Sequence, residues 1–182
     1  FFLEEAARLG FELGAPGTYA VGFLFLPQDA EIRAGMEKLV EEVVQEEGQV
    51  LLGWRDVPVD NSSLSKAPDI AATEPFHRQV FIGRGKLIES EAEFERRLFI
   101  IRKVISNRIY SAYSGLDNDF YVVSLSARTI VYKGMFLAYQ LGAYYRDFHD
   151  PRFETALALV HQRFSTNTFP SWRLAHPYRM VA

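Results

Sequence analysis

The sequence predicts an α+β fold, and three observations carry that reading. Strand-length apolar runs at 120–125 and 129–132 follow one another with only Ser126-Ala127-Arg128 between them, as in an antiparallel hairpin. Two long amphipathic helical patterns, at 30–46 and 90–113, stand among the strands. No regular strand–helix–strand alternation, which a doubly wound sheet would need, runs along the chain.

The chain opens in a helical pattern from Phe2 to Gly10 with no capping residue ahead of it. Gly14-Ala15-Pro16-Gly17 is a turn, and the dense apolar run 19–25 reads as a buried strand. Asp29 caps the helix 30–46, whose Ile32, Met36, Leu39, Val40 and Val43 recur on one face, and Gly48 ends it. Residues 50–57 form a second strand. The polar, proline-containing segment 58–75 has no apolar period and reads as a long loop.

Residues 78–85 form a strand leaving through a glycine turn. Ser90 and Glu93 match a capping box at the head of a helix reaching about Tyr113, with Phe94, Leu98, Ile101, Ile105 and Ile109 on one side. Arg96, Arg97, Arg102, Lys103 and Arg108 make the other side basic, a solvated or partner-facing surface. After the hairpin, a short helix is expected at 135–141 and a strand at 156–163, running into a polar loop. Residues 1–60 could form a strand–helix–strand lobe, with 76–182 holding the remaining strands, the long helix and the loop.

With 182 residues, 48% of them hydrophobic, the chain can bury one sizeable core. It begins with Phe1 in mid-helix and stops at Ala182 in an apolar run, so a slice of a longer polypeptide is expected. Its 20 basic and 23 acidic residues are scattered, which disfavours nucleic acid as a partner. No apolar run approaches the roughly 20 residues that span a bilayer, and nothing resembles a signal peptide, so no membrane partner is expected and a cytoplasmic location is the default. The absence of cysteine excludes disulfides, thiolate-held metals and thiol catalysis within this stretch.

His77, His149, His161 and His176 have no ligand spacing, so no metal site is expected, and His149 reads as a surface residue. Gly83-Arg84-Gly85-Lys86 lacks the spacing of a nucleotide fingerprint and reads as a turn rather than a phosphate cradle. The informative stretch is 161–172, where a strand delivers Arg163 to a loop containing Phe164, Ser165, Thr166, Asn167 and Thr168. A guanidinium holds a carboxylate through two parallel hydrogen bonds, and hydroxyls add adaptable donors and acceptors. The pattern suits a small zwitterion or carboxylate; an ordinary surface loop satisfies it as well.

The run 160–172, Val-His-Gln-Arg-Phe-Ser-Thr-Asn-Thr-Phe-Pro-Ser-Trp, followed by 174–180, resembles a signature of the glutamate synthase large subunit. Residues 120–135 and 53–60 resemble the same family, so the likeness spans nearly the whole chain. It implies an internal part of a class II glutamine amidotransferase domain, an αββα four-layer sandwich of the N-terminal-nucleophile hydrolases with a strand–helix–strand insertion near the start.

In that family an N-terminal cysteine attacks the amide of L-glutamine, and the ammonia released serves a synthase domain of the same polypeptide that makes glutamate from 2-oxoglutarate. The resemblance implies FMN and an iron–sulfur cluster in the parent enzyme, none in this segment, with a small reductase subunit or ferredoxin as electron-supplying partner. It matches Arg163 to the clamp on the glutamine α-carboxylate, places Thr166, Asn167 and Phe164 in the substrate loop, and gives His161 a supporting place. The nucleophile and the Asn-Gly oxyanion pair are missing, so this segment alone is expected to be inactive. A non-catalytic amino-acid-binding or interaction module on the same scaffold is the alternative.

Overall fold

Strand alternation and helical spacing sort the apolar residues onto the two faces of one sheet. The computed structural model describes residues 1–65, 67–116, 119–162 and 169–175. In order the elements are α1 (Phe2–Arg8), β1 (Tyr19–Leu26), α2 (Ala30–Glu46), β2 (Val50–Asp56), α3 (Pro68–Ala72), β3 (Phe76–Gly83), α4 (Glu91–Ala112), β4 (Tyr121–Ser126) and α5 (Gln140–Tyr144). Short 3₁₀ turns occupy Asn61–Leu64 and Arg146–His149.

The four strands form an antiparallel sheet in the order β2-β3-β1-β4. This mixture of helix and antiparallel sheet agrees with the predicted α+β class. Because β3 lies hydrogen-bonded between β2 and β1, residues 1–60 share one sheet with β3 and β4 instead of closing a lobe of their own.

Helices α2 and α4 cover one face. The Asp29 carboxylate accepts from Glu31 N (2.9 Å) and Ile32 N (3.0 Å) to start α2, and Ser90 Oγ accepts from Glu93 N (3.2 Å) to start α4. Met36, Val40, Val43 and Val44 of α2, and Phe94, Leu98, Ile101, Ile105 and Ile109 of α4, pack on Ala20, Leu24, Leu26, Val80, Ile82 and Val122. The basic side of α4 is partly turned inward: Arg97 reaches Glu47 at 2.7 Å and Arg108 reaches Glu46 at 2.5 and 2.9 Å, tying α4 to the end of α2.

The other face carries an aromatic core of Phe23, Phe25, Tyr121, Val123, Tyr144, Tyr145 and Trp172, with Val57, Leu64 and Met135. It is covered by the connections rather than by long helices, and here the sequence reading needs correction. Segment 58–75 holds a 3₁₀ turn and α3, begun by Pro68 at the first helical turn, where a missing N–H costs nothing.

Residues 129–132 are not a strand. Ser126 Oγ accepts from Arg128 N (3.0 Å) and Thr129 N (3.2 Å), and Ser124 Oγ accepts from Val131 N (3.1 Å). Side-chain hydroxyls thus fold this segment against β4, in competition with a backbone ladder. The helix expected at 135–141 begins at Gln140 instead, where Gln140 Oε1 accepts from Leu137 N (2.7 Å). Residues 156–162 have no regular structure, and Leu157, Leu159 and Val160 are exposed, so the strand read there finds no partner among the described residues.

Candidate functional site

Arg163, Phe164, Thr166 and Asn167, the residues singled out for substrate binding, lie outside the described residues, as does His176. His161 is exposed at the near edge of that loop, and His149 is exposed on the surface. The far edge is docked. Trp172 is 3% exposed, its indole N–H donates to Ile70 O at 3.2 Å, and the Lys133 ammonium donates to Arg173 O at 2.5 Å. A side chain at Gly134 would collide with Phe136 and the Trp172 ring, so glycine is what lets the indole lie there.

Trp172 closes an aromatic box around His77, with ring centroids of Phe25 at 5.0 Å, Tyr144, Tyr145 and Trp172 at 5.6 Å, and Phe23 at 5.9 Å. Burial pushes the His77 imidazole down to about 3, opposed by a bond to the Pro75 backbone, so the ring is neutral at ordinary pH. Its Nε2 lies 3.4 Å from the Tyr144 hydroxyl, which donates to Glu74. A cleft of about 270 Å³ borders this box, lined by Gln28, Asn61, Glu74 and His77. Its polar groups already bond one another: Asn61 Nδ2 donates to Glu74 Oε2 (3.1 Å) and Gln28 Nε2 to Glu74 O (3.0 Å).

A second buried constellation surrounds Arg55. Its Nη2 donates to Asp147 Oδ1 at 2.6 Å and its Nη1 to Asp147 Oδ2 at 2.9 Å, a two-pronged pair. Nη1 also reaches Gln79 Oε1 at 2.9 Å across the β2–β3 register, and Nε reaches Glu5 Oε2 on α1 at 3.3 Å. Tyr132 completes the ring, donating to Asp147 (2.6 Å) and accepting from Gln79 Nε2 (3.0 Å).

Burial alone would lower the Arg55 pKa, but the hydrogen bonds and charge of Asp147 raise it above its ordinary value. Glu5 is held low, first by the hydrogen bond from Arg8, against burial, with Arg55 adding to it. With its donors engaged inside the fold, Arg55 acts as an internal clamp between α1, β2, β3 and the Arg146–His149 turn.

Neither Arg55 nor His77 stood out in the sequence. The available signal was alternation: Phe23 and Phe25 on β1 and His77 and Gln79 on β3 share the face away from the helices, which places a histidine and an amide among aromatic residues. The Gly83–Lys86 segment is the turn expected. Gly85 N donates to Gln49 Oε1 (2.9 Å) and Arg84 N to Thr18 O (2.8 Å), so both amides serve the fold.

The sequence, loop motif included, has counterparts among known proteins. A family profile described as "Glutamine amidotransferases class-II" matches residues 1–182. The chain belongs to the class II glutamine amidotransferases. It is 43% identical over 181 residues to the glutamate synthase [NADPH] large chain of Bacillus subtilis (strain 168), covering 100% of this chain and 11% of that protein. It is 44% identical over 185 residues to the corresponding large chain of Azospirillum brasilense, covering 100% of this chain and 12% of that one. A ferredoxin-dependent glutamate synthase of Arabidopsis thaliana is 39% identical over 182 residues, 99% of this chain and 11% of that protein. The chain therefore spans about 11 to 12% of the length of these relatives.

Proposed function

We propose that this chain is the substrate-binding part of the glutamine-hydrolysing domain of a glutamate synthase, supplying ammonia for glutamate formation from 2-oxoglutarate. The observation that carries the reading is the 43–44% identity to glutamate synthase large chains over 100% of this chain, a span that includes the stretch around Arg163. The helical layer of α2 and α4 on one face of an antiparallel sheet supports placing it as one α–β half of an αββα sandwich.

In this reading Arg163 clamps the α-carboxylate of L-glutamine by a charge-assisted pair, and Phe164, Thr166 and Asn167 belong to the loop that lies over the substrate. The thiol nucleophile comes from outside these 182 residues, which contain no cysteine. The synthase domain, with its flavin and iron–sulfur cluster, belongs to the remainder of the polypeptide. Relatives named for NADPH and for ferredoxin both support the family reading and leave either electron donor open.

The test is Arg163→Ala in the polypeptide extended to the full length of its relatives. Loss of the charge-assisted pair costs about 2 to 4 kcal/mol, so the KM for glutamine rises roughly 30- to 800-fold while ammonia-dependent glutamate synthesis persists. Equal damage to both activities refutes the binding role and makes Arg163 structural.

A further inference from the structure

At the outer edge of the sheet, the segment after β4 sets one cation over the Tyr121 ring, and α4 brings the charge of a second close to it. The Lys133 ammonium sits 4.0 Å from the ring centroid of Tyr121 and 5.6 Å from that of Phe25, on a side chain only 7% exposed overall. Its hydrogen bond goes to a neutral acceptor, the Arg173 carbonyl. Arg102, on α4, lies near enough for its charge to act on both Lys133 and the Tyr121 hydroxyl. One terminal nitrogen of that guanidinium, Nη2, is buried without a hydrogen-bond partner among the described residues.

A buried N–H with no acceptor costs the desolvation of a polar group, and more when the group is charged. Like charges held together in a poorly solvated place add to that cost. Burial brings Lys133 down to about 7, and the charges of Arg102 and Arg173 push the same way. One missing component corrects all of this: an oxygen anion accepting from Arg102 Nη2 and offsetting the ammonium. No carboxylate among the described residues forms an ion pair with either group.

We propose that Arg102 and Lys133 form a seat for a single oxyanion, a carboxylate or phosphate group, at the edge of the sheet beside Tyr121. The seat uses none of the residues of the glutamine loop, so it is independent of the reading of Arg163. The oxyanion has two sources, a free small anion or an acidic side chain from elsewhere in the longer polypeptide. Arg102 supplies directed N–H donors and Lys133 a point charge, a combination suited to either group.

The test is a pH titration of the lysine side chains by NMR with ¹³Cε-labelled lysine. The sequence has five lysines, so the Lys133 signal is identified by its loss in Lys133→Met. In chloride Lys133 is expected to titrate near 7, where burial and the neighbouring charges of Arg102 and Arg173 put it. Inorganic phosphate at the same ionic strength should raise that value by about one pH unit or more, as an opposite charge at contact does. In Arg102→Met the phosphate response should disappear, while the other lysine signals report that the fold is kept.

The same titration in the full-length polypeptide separates the sources. A Lys133 value already raised there and indifferent to phosphate means that the seat is filled by a carboxylate of the polypeptide. A value that phosphate still raises means a free anion. A Lys133 that titrates near 7 in both proteins with and without phosphate overturns the proposal, and so does an undiminished response in Arg102→Met.

Discussion

Removing Arg55 tests whether the buried clamp holds the aromatic face together. Arg55 is 3% and Asp147 2% exposed, and the guanidinium makes four hydrogen bonds to Asp147, Gln79 and Glu5. In Arg55→Met the Asp147 carboxylate stays inside with the Tyr132 hydroxyl as its remaining side-chain donor among the described residues. Breaking a buried pair by deleting one partner costs about 3 to 5 kcal/mol, because the charge left behind is uncompensated. Asp147→Leu should cost toward the lower end of that range, because Glu5 and Gln79 still face the guanidinium.

The double variant leaves no buried charge at this pair and should lie within about 1 to 2 kcal/mol of the parent, well above the sum of the singles. Equilibrium urea unfolding of the chain, followed by Trp54 and Trp172 fluorescence, reads all four corners. With a slope of about 2 kcal/mol per molar urea, each single should lower the midpoint by roughly 1.5 to 2.5 M. Singles that cost under about 1 kcal/mol each, with effects that add in the double, would refute the clamp.

His77 makes stability acid-sensitive. Its folded value of about 3 lies below the 6.5 of an unfolded histidine, so between those values the unfolded state binds more protons and stability falls as pH drops through the window. The loss approaches about 5 kcal/mol by the bottom of that window, and His77→Phe should flatten the decline in urea midpoint between pH 6.5 and 3. At Gly53 a Cβ would enter the Phe11 ring, so Gly53→Ala should cost about 1 to 3 kcal/mol by overpacking. Restoring stability in Gly53→Ala by Phe11→Leu, read by the same urea midpoints, checks that the ring is the cause; no recovery would point to the backbone.

The helical layer was legible because α2 and α4 combine a capping side chain with an apolar stripe, and β1 because it is nearly unbroken apolar sequence. The opposite face was less so. Its cover is made of short turns fixed by long-range bonds, such as Gln140 Nε2 to Ser63 O and Asp60 N to Tyr144 O, which leave no local period in the sequence. The run 129–132 misled because its β-branched and aromatic residues favour a strand, while Ser124 and Ser126 capture its amides.

On β2, Leu51 and Trp54 pack on the same core across a register shift between Leu51 and Gly53, which simple alternation forbids. The loop motif carried the family reading through residue identity. Arg55 and Asp147, 92 positions apart, offered no such signature.

That separation sets an order of events during synthesis. A ribosome adding roughly 5 to 20 residues per second releases Asp147 about 5 to 20 s after Arg55. In that interval β1, α2, β2, β3 and α4 are complete in sequence, and the helix-covered side of the sheet has nearly all its apolar partners. The other side holds a guanidinium that has Glu5 but not yet its two-pronged partner Asp147, and a pair of phenylalanines awaiting Tyr144, Tyr145 and Trp172. One side of the sheet is thus sealed early and the other late, and the nascent chain leaves an aromatic surface uncovered until residues 144–172 have been added.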